Sequence, residues 1–191
     1  MYAMNDKKRQ KNTFKMTARE CAYLAAFVAL VIAAQVVLAA VPGVEIVTVL
    51  FLTYAFVFGI KRGLVAATVF SLLRMLVFGF DVKVLLLYLL YFNGFAAFFG
   101  FLGKVVKKPM VSLWWLVIAA CVCTACFTML DNLLTVLWYA YSARAAKVYF
   151  MASLSVMFPQ MICTAVSVAA LFLPLRKVFL VVKKGLSRDS R

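Results

Sequence analysis

Residues 21–41 read CAYLAAFVALVIAAQVVLAAV, an apolar run without a charged side chain. A hydrocarbon core is crossed by roughly 20 apolar residues in helical conformation, so this one stretch places the chain in lipid. Residues 1–19 before it are polar and basic, carrying Lys7, Lys8, Arg9, Lys11, Lys15 and Arg19. The apolar part of a cleavable signal peptide is only about 7–15 residues. The run therefore reads as a first membrane span.

The same texture recurs outward from it. Six apolar segments are expected, at 20–40, 44–60, 63–79, 84–103, 110–139 and 150–175. Their separators are turn-forming or charged: Pro42-Gly43, Lys61-Arg62-Gly63, Gly79-Phe80-Asp81, Lys107-Lys108-Pro109 and the stretch 141–147. Segments 44–60 and 63–79 are short, and are expected to cross nearly upright or to fall short of one surface. Across the 191 residues, 67% are hydrophobic, 14% are charged and the mean hydropathy is +1.04. A soluble domain could not hide that much apolar surface. The expected fold is all-α, a bundle of six transmembrane helices over 20–180, with a basic segment at 1–19 and a basic tail at 181–191.

The formal charge of +15 would suggest nucleic acid in a soluble protein. Here its distribution explains it. With the N-terminus inside, the cytoplasmic side receives 17 of the 21 Lys and Arg, including Lys61, Arg62, Lys104, Lys107 and Lys108; the outside receives Lys83, Arg144 and Lys147. Arg74 alone falls within a span. This asymmetry predicts both termini in the cytoplasm and no nucleic-acid partner. Cys21, Cys121, Cys123, Cys126 and Cys163 all lie in apolar stretches, where they read as small packing residues, so no metal or cofactor is expected.

An ionised side chain near the bilayer centre costs about 3 kcal/mol on insertion scales, so each one needs a reason. Helix rise places Arg74 roughly 9 Å below the predicted outer surface, Asn93, Asp131 and Asn132 roughly 13 Å, and Gln160, after Pro159, roughly 15 Å. Gln35 lies in the outer third of the first span and Glu45 at the outer mouth of the second. The strongly polar groups thus fall in one outer half-layer, with Leu, Val, Phe and Ala below them. Tyr88, Tyr91, Trp138 and Tyr139 share that layer, and Asp131, Thr135 and Tyr139 share one helix face. The pattern predicts a water-accessible pocket open to the outside, suited to a small polar, partly aromatic molecule. Arg74 and Asp131 either line that pocket or neutralise each other; the four aromatics either touch ligand or form an interfacial belt. Mixed charge from Arg74, Glu45 and Asp131 fits a zwitterionic or multiply polar ligand. On the first span, Ala18, Ala22 and Ala26 form one four-residue series and Ala25, Ala29 and Ala33 another. Such faces admit close helix approach, either by a neighbouring span or by another membrane protein.

The length, six spans, basic N-terminus, alanine-x-x-x-alanine face, the stretch VPGVEIVT at 41–48 and the outward pocket together resemble the S components of energy-coupling factor (ECF) importers. The resemblance covers nearly the whole chain and is architectural. It implies a multi-pass protein of the bacterial cytoplasmic membrane that captures a vitamin or related micronutrient, docks on a T subunit attached to two cytoplasmic ATPases, and topples to release its ligand. Ala22, Ala25, Ala26 and Ala29 would then contact the T subunit, and Glu45, Thr48, Asn93, Asp131, Trp138 and Gln160 would belong to the ligand site. Riboflavin, pyridoxal-type, cobalamin-type and queuosine-precursor ligands stay open. No G-x-x-x-x-G-K-[ST] occurs, so ATP-driven work would come from partners. An intramembrane enzyme is disfavoured because the chain has no histidine and hence no Ser-His dyad. A stand-alone channel or secondary transporter would need polar residues continuing through the inner leaflet.

Overall fold

Helix boundaries follow local chemistry. A capping box opens α1 (Ala18–Leu38): the Thr17 hydroxyl accepts from the Glu20 N–H, and the Glu20 carboxylate accepts from the Thr17 N–H, each at 3.3 Å. Such reciprocal caps satisfy donors a helix start leaves unpaired. α2 (Val47–Phe58) and α3 (Ile60–Phe78) are joined by Gly59 alone, at φ +82° and ψ 177°. That combination is essentially open only to glycine, so the corner depends on this residue. Asp81 caps α4 (Val82–Val105), accepting from the N–H groups of Lys83 and Val84 at 2.8 and 3.3 Å. α5 (Leu113–Trp138) and α6 (Ala143–Arg188) complete the chain. This computed structural model describes residues 16–40, 46–106 and 112–188, and all regular structure among them is helical.

α1, α4, α5 and α6 are long and apolar enough to cross a bilayer, which makes this an all-α, multi-pass, membrane-embedded protein. α2 has 12 residues, roughly 18 Å of helix, and falls short of a bilayer on its own. α3 has 19 residues but carries Lys61, Arg62 and Arg74.

Three boundaries differ from expectation. Lys61-Arg62-Gly63 is not a separator; it forms the first turn of α3, because Gly59 already turns the chain. Likewise, 143–147 is helical rather than loop. Ala143, Ala145 and Ala146 are strong helix formers and carry the last helix back from 150 to 143. At its other end α6 runs unbroken past 180 to Arg188, so the expected basic tail from 181 begins as a continuation of this helix. Pro159 and Pro174 lie inside this helix, as prolines can where neighbouring groups satisfy the freed carbonyls. The turns at Pro42-Gly43 and Lys107-Lys108-Pro109 lie outside the described residues.

All twelve residues of α2 are buried, enclosed by α3, α4 and α6, with α1 and α5 at the margins. A helix apolar on every side belongs in the centre of a bundle. Because lipid is as apolar as leucine, dispersion and close packing hold it there, rather than expulsion of water. Aromatic rings supply much of that packing. Phe51 meets Phe27, Phe70 and Phe92 at centroid separations of 5.4, 5.0 and 4.9 Å, and Tyr54 stacks on Phe27 at 4.1 Å. Each such pair contributes roughly 0.5–1.5 kcal/mol beyond area. α4 approaches the α2–α3 corner so closely that a Cβ at Gly103 would lie 2.1 Å from the Phe56 carbonyl oxygen.

The bundle has two chemically distinct ends. At one, the carboxylate of Glu20 on α1 pairs with Arg62 on α3, and Lys183 Nζ donates to the Val57 carbonyl at 2.5 Å. At the other lie the ends of α1, α3 and α5 and the starts of α4 and α6, and here the polar side chains gather.

Candidate functional site

Helix direction brings Asp131 to that second end, two turns before α5 stops. Its Oδ1 accepts from Lys83 Nζ at 3.0 Å, and Lys83 also donates to the Thr135 hydroxyl at 2.8 Å. Thr135 in turn donates to Asp131 Oδ1 at 3.4 Å. The sequence alone places Lys83 among the outer-loop cations. Because α4 begins at Val82, it sits in the first turn, and its long stem reaches down to α5. The next residue on α5, buried Asn132, donates to the Ser153 hydroxyl on α6 at 2.6 Å. Asp131, Asn132, Ser153 and Gln160 line a cleft of about 400 Å³ between α5 and α6, walled by Phe127 and Tyr149. That volume is in the range of small-molecule sites. Tyr149 and Ser153 were not anticipated, because each is an ordinary helix residue until Asn132 is placed opposite.

A second cluster lies beside it. Gln35 Nε2 donates to the Tyr88 hydroxyl at 3.1 Å, and the Arg74 guanidinium stacks on the Tyr88 ring, 4.1 Å from its centroid, with Phe78 at 4.8 Å. Tyr88 touches Phe127 edge-on at 5.8 Å, linking this cluster to the cleft wall. Arg74 and Asp131 therefore do not neutralise each other: Lys83 holds Asp131, and Arg74 faces rings. Stacking supplies roughly 0.5–2 kcal/mol, against about 2.5–3.5 kcal/mol for a central arginine on insertion scales. Arg74 Nε and Gln35 Oε1 are buried without a hydrogen-bond partner.

The remaining predicted residues lie elsewhere. Asn93 is occupied in packing, accepting from Thr68 Oγ1 at 3.2 Å and donating to the Leu89 carbonyl at 2.8 Å. Thr48 is buried in the first turn of α2 and does not line the cleft. Trp138 and Tyr139 are half exposed at the close of α5, with Tyr139 stacked on Tyr141 at 6.1 Å. That position suits an interfacial belt. Glu45 lies outside the described residues.

Below the cleft the polar seam closes. Thr124 and Thr164, both buried, bond each other at 3.1 Å across α5 and α6, and Cys121 Sγ donates to the Met161 carbonyl at 3.6 Å. Beside it stands the aromatic core around Phe51. Ala18, Ala22, Ala25, Ala26, Ala29 and Ala33 are all exposed, while Leu24, Phe27, Val28 and Val31 occupy the opposite, buried side of α1. The alanine face is thus not packed against a neighbouring span of this chain. At its start, Ala22 and Ala26 line a groove of about 440 Å³ with Arg19, Tyr23, Gly185 and Leu186.

Comparison with known protein families, known proteins and solved structures finds no match to this chain.

Proposed function

We propose that this chain is the substrate-binding S component of an ECF-type importer, capturing a vitamin or related micronutrient outside the cell. The observation that carries this reading is the polar cleft between α5 and α6, confined to one end of a bundle whose middle is packed with phenylalanine. A capture subunit needs a ligand site that is open on one side and closed beneath, whereas a channel needs a polar path through. In this proposal the Gln35 end faces outward, both termini are cytoplasmic, and α2 and α3 complete six crossings. Asp131, Asn132 and Gln160 contact ligand, and the Lys83–Asp131 pair fixes the orientation of the carboxylate.

The exposed alanine face of α1 supports the second half of the reading. A bundle in lipid leaves small residues outward at no gain to itself, but they let a partner helix approach to backbone distance. Ala22, Ala25, Ala26 and Ala29 would form the T-subunit contact, and two ATPases would act through that subunit. Toppling would move the polar end through lipid, and a bound ligand would lower the cost by pairing its groups.

Native mass spectrometry of the protein purified alone should show one vitamin-sized molecule per chain, and its mass would name the substrate. Uptake by cells should require the ATPase partners. A protein that carries no small molecule and supports no ATP-dependent uptake would overturn the proposal.

A further inference from the structure

We infer that the ligand held at the Gln35 end carries an anionic oxygen group, a carboxylate or a phosphate, which Arg74 receives. This rests on the capture reading and narrows its substrate class. The inference starts from a census of acids. Among the described residues the acidic side chains are Glu20, Asp81 and Asp131. Glu20 pairs with Arg62 at the far end of the bundle. Asp81 caps α4 through two backbone N–H groups. Asp131 is engaged by Lys83 and Thr135. Each is committed, and none to Arg74.

Arg74 is therefore a guanidinium with ring neighbours and no acceptor among the described residues. Guanidinium presents a planar fork of donors matched to carboxylate and phosphate oxygens. Its central carbon lies over the Tyr88 ring, 4.1 Å from the centroid, and its Nε has no hydrogen-bond partner. The adjacent Gln35 amide uses one end on Tyr88 and keeps the other without a partner, ready for a neighbouring polar group of the same ligand. Arg74 is thus left without a counter-charge in contact among the described residues, and an anionic group on the ligand supplies one. A zwitterion would bring a cation for which no free acid is present among the described residues.

The test uses the full-length protein in detergent, with benzoate, phenyl phosphate and neutral benzamide as probes. Thermal shift and titration should show stabilisation by benzoate or by phenyl phosphate, and none by benzamide at equal concentration; the better of the two anions identifies the oxygen group. Arg74→Gln should weaken that anion at least tenfold, equal to about 1.4 kcal/mol. Arg74→Lys should retain part of the affinity, and Arg144→Gln, which removes an exposed cation, should change nothing. Benzamide binding as well as both anions would overturn the inference, and this comparison needs no variant to fold. So would anion binding that appears only in Glu45→Gln, since Glu45 would then be the counter-ion. A neutral vitamin-sized molecule co-purifying with the protein would also sink the anion while preserving the capture reading. Conversely, Arg74-dependent anion binding in a protein with no ATP-driven uptake would uphold the anion site and sink the capture reading.

Discussion

Three glycines on α4 permit a graded test of how α2 is held. A Cβ at Gly94 would meet nothing within 4 Å; at Gly100 it would lie 2.7 Å from the Ile60 nitrogen; at Gly103 it would lie 2.1 Å from the Phe56 carbonyl oxygen. In both close cases the obstacle is main chain, which cannot swing aside as a side chain can. Glycine to alanine in a helix gains up to about 1 kcal/mol of propensity, and that is all Gly94→Ala should do. Overpacking a dense interior costs about 1–3 kcal/mol. Backbone clashes lie at the upper end, so Gly103→Ala should lose about 2 kcal/mol net, with Gly100→Ala somewhat less. At about 2–4 °C per kcal/mol for a chain of this size, the Gly103 variant should unfold about 4–8 °C lower. Membrane proteins often unfold irreversibly, so wild type and all three variants belong in one detergent at one scan rate. A Gly103→Ala protein as stable as Gly94→Ala would refute the close approach of α4 to the α2–α3 corner.

Gly59→Ala should destabilise by about 1–3 kcal/mol through backbone strain alone, because its φ is +82° while a Cβ there meets nothing within 4 Å; a melt unchanged from wild type would mean the corner tolerates side chains. Asp131→Ala should weaken the native ligand more than tenfold in a direct titration, and it also strands Lys83. Asp131→Leu combined with Lys83→Met removes both charges, which restores most of the stability without restoring affinity, so binding and folding effects separate. Ala25→Trp and Ala29→Trp should abolish ATP-driven uptake yet leave ligand binding intact, since both positions are exposed. Normal transport by those variants would place the partner contact elsewhere.

Much of the candidate site was legible because membrane insertion penalises polar groups and makes each one informative. Gln35, Arg74, Asp131, Asn132 and Gln160 stand out in an apolar text by burial cost alone, and helix rise puts them at a common depth. Rise says nothing, however, about rotation around the helix axis. Asn93 shares the depth of Asp131 but turns toward Thr68 and ends as packing. Lys83, at the mouth of α4, turns inward and takes the aspartate that was one expected partner of Arg74.

By itself, the sequence determined the solvent and the class: apolar runs as long as a bilayer is thick, and strongly hydrophilic side chains few enough to be picked out one by one. These are one-dimensional quantities, summed along the chain against a fixed slab. Only the tertiary structure decided the pairings, because they depend on which helices touch and at what angle. It put the twelve-residue α2 at the centre, replaced the expected Lys-Arg-Gly break with a corner at Gly59, matched Asn132 to Ser153, and left Arg74 against a tyrosine ring. Each of those outcomes is set by contacts between residues dozens of positions apart, which no local pattern encodes.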